Sequence, residues 1–254
     1  MEEIVLVILG LIIGSFLNVV IYRLPLEKSI IKPGSHCPSC NTPVKFYDNI
    51  PVISYILLKG KCRHCKANIS LIYPFVESFT AFSFWLAYVY FGQVPLYMGF
   101  SILFICLLLS LALIDLKHMI LPLGMSVGGG AVFLVYSFFN PFISPVNAFL
   151  SAAGAALAFA AIYYFYLKVR KIEGLGQGDI WMMLLLGSFL GLNKLVIAIL
   201  LASLSGVIVG MFFIIFKKKN LKLALPFGTF LSLGSYISLF WGNDILRLIQ
   251  SFYR

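Results

Sequence analysis

The feature that most limits how this chain can fold is a series of uncharged apolar runs, most of them close to the roughly 20 residues a helix needs to cross a bilayer core about 30 Å thick. The runs are Ile4–Tyr22, Leu71–Phe91, Leu96–Ile114, Leu121–Phe139, Asn147–Leu167, Ile180–Leu192, Leu195–Phe216 and Leu223–Trp241, and Glu77 is the only charged residue inside any of them. Composition agrees: 61% of the residues are apolar and 11% charged, and the mean hydropathy is +1.00. A soluble domain of this size covers its surface with more polar groups than that. A soluble fold, disorder, a coiled coil and collagen are therefore excluded, and the expected fold class is an all-α polytopic membrane protein with about eight transmembrane helices. The first run follows Met1-Glu2-Glu3 without a basic stretch or a small-residue cleavage site, so it is read as a permanent span and not as a signal peptide.

Nineteen Lys and Arg against nine Asp and Glu give a net charge of +10. With eight spans, the basic residues sort by side. Arg23, Lys28, Lys32, Lys45, Lys59, Lys61, Arg63, Lys66, Lys117, Lys168, Arg170, Lys171, Lys217, Lys218, Lys219 and Lys222 fall on one face; Lys194, Arg247 and Arg254 fall on the other. The positive-inside rule then puts the long polar segment Arg23–Ser70 in the cytosol and both termini outside, in a plasma membrane. Ile180–Leu192 reaches only about 20 Å as a helix and is expected to be a half-helix entered through Gly174–Gly178.

Arg23–Ser70 holds Cys37-Pro-Ser-Cys40 and Cys62-Arg-His-Cys65. Two C-x-x-C pairs at this separation match a four-thiolate zinc ribbon, in which each pair gives two ligands from one tight turn. Zinc on Cys37, Cys40, Cys62 and Cys65 would pin a loop too small to build its own core, and a reducing cytosol disfavours disulfides. His36 and His64 are expected at the surface, and Cys106 as a small buried hydrophobe. The loop's basic charge is accounted for by neighbouring anionic lipid, so nucleic acid is not an expected partner.

Asp115 closes the third run and Asp179 lies at the start of the sixth, on the cytosolic side in this topology. Carboxylates at membrane depth are costly, about 2.5–3.5 kcal/mol on insertion scales, and usually carry function. Brought together they could share one proton, the neutral acid bonding a substrate carbonyl while its ionised partner activates water. The glycines of Gly174-Leu-Gly-Gln-Gly178 would permit close backbone approach. The alternative is structural: Asp179 caps a helix, and Asp115 sits in a solvated turn beside Lys117. His118 is left outside the core mechanism. Gly128-Gly-Gly130 is read as helix packing, and Met182-Met183 as core or lipid-facing.

Taken jointly, several motifs resemble the type IV prepilin peptidases, membrane aspartic proteases of the G-x-G-D kind. They are Gly14-Ser-Phe-Leu-Asn-Val-Val-Ile-Tyr-Arg-Leu-Pro25, the two cysteine pairs, Asp48-Asn-Ile-Pro-Val-Ile-Ser-Tyr55, Tyr73-Pro-Phe-Val-Glu77, Ile114-Asp115-Leu-Lys-His-Met-Ile-Leu-Pro122, Gly176-Gln-Gly178-Asp179 and Leu225-Pro-Phe-Gly228. The resemblance implies cleavage of the basic leader of prepilins and pseudopilins at the cytosolic face, with Asp115 and Asp179 as the peptidase pair. It also implies N-methylation of the new terminus with S-adenosylmethionine, a function associated with the N-terminal part and the cytosolic loop. The implied organisation is a first helix (1–22), a zinc-binding loop (23–70) and a seven-helix peptidase region (71–254). Trp181 stands where the family commonly has Lys. Glu77 would pair with a basic loop residue or with the substrate's new amino terminus, and Asn18 serves either packing or the methyltransferase site. Rival readings are a peptidase without methylation, an ion-coupled transporter using both aspartates, and a noncatalytic pilus-assembly protein.

Overall fold

A computed structural model describes residues 1–171, 175–217 and 225–252. Gly174, Lys218, Lys219, Lys222 and Arg254, named above for the half-helix and for topology, lie outside the described residues. Every regular element among those described is helical: α1 (Glu2–Arg23), α2 (Ile53–Leu57), α3 (Ile72–Phe91), α4 (Pro95–His118), α5 (Leu123–Tyr136), α6 (Pro145–Arg170), α7 (Gln177–Lys217) and α8 (Phe227–Ser251). Four of them are long and apolar enough to cross a membrane, over Glu2–Leu26, Pro95–His118, Pro145–Val169 and Gln177–Phe216.

Helix boundaries follow local chemistry. Met119 adopts the left-handed conformation (φ 54°) and returns its N–H to Asp115 O at 2.8 Å, which stops α4. Ser144 caps α6, accepting from Asn147 N, with Pro145 in the first helical position. Two expected boundaries move. The fourth run, read as Leu121–Phe139, is helical for only 14 residues, because Pro122 precedes the first turn and Ser137 ends the last. The eighth, read as Leu223–Trp241, begins at Phe227 after Pro226 and continues to Ser251.

The sixth and seventh runs form one element, α7, of 41 residues. A straight helix of that length would reach about 60 Å, twice a bilayer core. It breaks at Gly191 (φ 67°, ψ 174°), backbone that essentially only glycine adopts. The amide of Leu192 just beyond the break is taken up by Asn147 Oδ1 at 3.1 Å.

The chain divides into two compact units, Met1–Cys106 and Leu107–Arg254. In the first, α1 packs on α3 through Gly10 and Gly14, where an added Cβ would sit 2.6 Å from Ala81 Cα and 2.7 Å from Glu77 Cα. This is the small-xxx-small spacing that lets helix backbones touch. In the second, α7 packs against α5, α6 and α8. Gly129 and Gly130 meet Leu184 and Leu185 of α7, as the packing reading requires, whereas Gly128 faces open space. Met182 and Met183 are fully buried.

Candidate active site

In the second unit, α4 carries Asp115 in its last turn and α7 carries Asp179 in its first. Both are buried, at 6% and 5% exposure. Burial of Asp115 removes the solvated-turn alternative. The capping alternative for Asp179 is partly met, since Gly176 N donates to Asp179 Oδ2 at 3.2 Å, the reach-back half of a capping box. That bond occupies one carboxylate oxygen and leaves the other for chemistry. The carboxylates lie within electrostatic reach of each other.

Leu121 sets the spacing of the site. An added Cβ on Gly178 would stand 2.8 Å from Leu121 Cβ, and one on Gly228 would stand 2.9 Å from both Leu121 methyls. The three motifs that carry Asp115, Asp179 and Gly228 therefore converge on one leucine, and both glycines are needed because a side chain there would occupy the same space. The first turn of α8 supplies the donors for Asp115. Thr229 N–H reaches Asp115 Oδ2 at 2.7 Å, and Thr229 Oγ1 lies 3.1 Å from the same oxygen and 3.0 Å from Ala112 O. Sequence reasoning missed Thr229. Its closing motif stopped at Gly228, and the bond joins residues 114 apart. His118 Nε2 is buried without a hydrogen-bond partner among the described residues. Trp181 is 44% exposed.

In the first unit the four cysteines converge. One sulfur from each lies within 4.8 Å of the others, and Cys37 Sγ and Cys65 Sγ are 3.8 Å apart. Tetrahedral zinc with bonds of about 2.3 Å sets its sulfurs about 3.8 Å apart, so the cluster can hold such an ion. The two knuckles are built alike. Cys37 N–H bonds Thr42 O and Cys62 N–H bonds Ala67 O; Asn41 (φ 55°) and Lys66 (φ 60°) turn left-handed; the bridges His36–Pro43 and Lys61–Asn68 close each turn. Hydrogen bonds at Thr42 bring the Cys40 thiol down to about 6, and the backbone amides of Cys65 and His64 lower Cys62. The Ala67 amide favours the Cys65 thiolate, but burial and the bonded sulfurs of Cys40, Cys62 and Cys37 push that thiol up to about 11, a repulsion a bound cation offsets. Asp48 fixes the second knuckle through a two-pronged bond from Arg63, 2.6 and 2.8 Å, which holds its carboxyl below the usual range.

Glu77 is buried at 7% exposure. Its hydrogen-bond partner is a backbone amide: Val52 N–H donates to Glu77 Oε2 at 2.8 Å. No cation pairs with it among the described residues. Val52 is itself unusual, a β-branched residue at φ 61°, ψ −49°, in a γ-turn closed by Ile53 N to Pro51 O at 2.6 Å. Such turns are rare and strained for any residue. The motifs Asp48–Tyr55 and Tyr73–Glu77 thus meet at one bond. Asn18 donates to Tyr73 O at 3.2 Å, and Arg23 donates to Ser29 O and Gly34 O, fixing the start of the loop.

Both stretches of the chain are similar to known proteins. Residues 8–91 match the Bacterial Peptidase A24 N-terminal domain, and residues 102–211 match the Type IV leader peptidase family. Three similar proteins each carry the name prepilin leader peptidase/N-methyltransferase. That of Legionella pneumophila is 36% identical, over 94% of this chain and 91% of its own length. That of Myxococcus xanthus is 40% identical, over 81% of this chain and 61% of its own length. That of Pseudomonas aeruginosa is 32% identical, over 97% of this chain and 92% of its own length. No solved structure matches the chain.

Proposed function

Because the chain belongs to the type IV leader peptidase family, we propose that it is a membrane aspartic endopeptidase that removes the basic leader of prepilins and pseudopilins and N-methylates the new N-terminal residue. The observation that carries the peptidase reading is the pair Asp115 and Asp179: two carboxylates, both buried, held at adjoining helix ends around Leu121. Two buried carboxylates brought together around one side chain do not both ionise, so in this reading one proton is shared. The ionised member draws a proton from water as the water oxygen attacks the scissile carbonyl. The protonated member donates to the carbonyl oxygen. No covalent acyl intermediate is needed, and an extended leader can lie along the glycine backbone beside Asp179.

The membrane arrangement we propose has eight crossings: α1, α3, α4, α5, α6, the two parts of α7 on either side of Gly191, and α8. The positive-inside pattern supports a cytosolic Arg23–Ser70 and extracytosolic termini, which sets both aspartates at the cytosolic face, where a leader is presented. Zinc on Cys37, Cys40, Cys62 and Cys65 is structural in this reading: four thiolates close the shell and leave no open position for catalysis. S-adenosylmethionine supplies the methyl group. Within the first unit Glu77 is the buried carboxylate among the described residues, the charge type that fits a cationic donor or an ammonium terminus, and we assign it to that half of the activity.

The test is mass spectrometry of a prepilin-type substrate incubated with the detergent-purified protein and S-adenosylmethionine. Leader loss with wild type but not with Asp115→Asn or Asp179→Asn is the expected result, followed by a gain of about 14 Da for one methyl group. Cleavage by both Asn variants would overturn the pair. Leader loss without the mass gain would leave a peptidase that does not methylate.

A further inference from the structure

Resting on the assignment of Asp115 and Asp179 as the peptidase pair, we propose that Thr229 is a positioning residue that keeps Asp115 the ionised, water-activating member and leaves the shared proton on Asp179. The two carboxylates have unequal surroundings. Asp115 Oδ2 receives the Thr229 amide at 2.7 Å and has the Thr229 hydroxyl at 3.1 Å. These donors sit in the first turn of a helix of 25 residues, where backbone amides lack intrahelical partners. Asp179 has one such donor, Gly176 N–H at 3.2 Å, and faces the charge of Asp115. Hydrogen bonds donated to a carboxylate favour its ionised form. Of two acids sharing one proton, the one with more donors gives it up.

The Thr229 hydroxyl also has a second acceptor, Ala112 O at 3.0 Å. Its single proton cannot serve both acceptors fully. It points to Asp115 while that group is ionised, and to Ala112 O once Asp115 has taken the proton from water. A hydroxyl both donates and accepts, so one geometry supports Asp115 in both states. The full step balances on these groups. Water gives a proton to Asp115 and its oxygen bonds the carbonyl carbon, while the carbonyl electron pair moves to oxygen, which takes the proton of Asp179. On collapse the C–N bond breaks, the leaving nitrogen takes the proton from Asp115, and Asp179 recovers its proton from the diol. Among the described residues, the titratable groups placed near Asp115 are Asp179 from α7 and, on α4 itself, Lys117 and His118; residues 119–122 and the first turn of α8 contain none.

The experiment is the pH profile of leader cleavage, as kcat/KM, for full-length protein with Thr229→Ser, Thr229→Val and Thr229→Pro, beside Asp115→Asn. Valine keeps the shape and loses the hydroxyl. Proline loses the amide donor as well, and at the third residue of α8 no intrahelical bond depends on that amide. Serine should follow wild type. Valine should move the acid limb about one pH unit higher with KM unchanged, and proline should move it further, because a base stripped of donors ionises only at higher pH. A valine or proline variant whose acid limb overlays wild type would overturn the proposal, as would an equal fall at every pH in all three variants. If Asp115→Asn still cleaves, the pair itself is wrong, whereas an inactive Asp115→Asn with unshifted Thr229 variants removes this inference alone.

Discussion

Gly178→Ala should leave the protein folded and cost it most of its peptidase activity. The new Cβ would lie 2.8 Å from Leu121 Cβ, 3.2 Å from its Cδ1 and 3.3 Å from its Cγ, against a usual carbon–carbon contact of about 3.5–4.0 Å. The nearest atom is a Cβ, fixed to its backbone, so a rotamer change does not relieve the clash and one segment must withdraw by roughly 1 Å. Overpacking of this kind costs about 1–3 kcal/mol. Replacing a helical glycine by alanine returns about 1 kcal/mol, so the net loss of stability is about 0–2 kcal/mol. Asp179, the next residue, moves with the strained turn, and a displacement near 1 Å costs about 100-fold in rate. Gly228→Ala makes an informative contrast, because its Cβ meets the two methyls of Leu121 at 2.9 Å and Asp115 Oδ2 at 3.1 Å. Leu121→Ala removes those methyls and keeps the Cβ. It should therefore recover about tenfold of the activity lost in Gly228→Ala and none of that lost in Gly178→Ala. The assay is initial-rate leader cleavage by mass spectrometry, with thermal unfolding in the same detergent. A folded Gly178→Ala protein cleaving at near wild-type rate would refute the reasoning, and equal rescue of both alanine variants by Leu121→Ala would show that the two glycines do not work as described.

Protein purified without chelators should carry about one zinc per chain, and Cys→Ser at Cys37, Cys40, Cys62 or Cys65 should lower that content and speed proteolysis within Arg23–Ser70. Metal analysis that finds none would remove the zinc reading. Asp48 should titrate below its ordinary range, with Arg63→Gln returning the midpoint upward in carboxyl NMR, because Arg63 bonds the ionised form. The sign follows from linkage: what this pair adds to loop order is full above the unfolded carboxylate range and is lost as pH falls through the lower folded value. An unshifted midpoint in Arg63→Gln would refute it. Gly14→Ala should lower the melting transition, since its Cβ would meet Glu77 Cα at 2.7 Å, while Gly128→Ala, facing open space, should not. Equal effects of the two would contradict the packing of α1 on α3.

What could be read in the sequence and what could not divide along a physical line. Run length exposed the helices, because lipid imposes one length scale on any chain that crosses it. Cysteines and aspartates announced themselves by type: few side chains bind zinc or share a proton, so their spacing carried information before any packing was known. The groups that tune those side chains are of another kind. Asp115 is served by the amide of Thr229, Asp179 by the amide of Gly176, and Glu77 by the amide of Val52. Every residue but proline has a backbone N–H, so residue type says nothing about which amide will face a carboxylate. That depends on where a helix begins, as at Phe227 after Pro226, and on a turn as uncommon as the one at Val52. Two signals were nonetheless present and unused. Gly10 and Gly14 stand at the helix-contact spacing that brings Glu77 against α1, and Gly191, just before the Asn193-Lys194 gap between the sixth and seventh runs, marks the break that α7 needs. Glycine is where a sequence records backbone geometry. At Gly178 and Gly228 it records the space Leu121 takes up between the two motifs, so alanine substitution at these two positions separates the geometry of the aspartate pair from the mere presence of two acids.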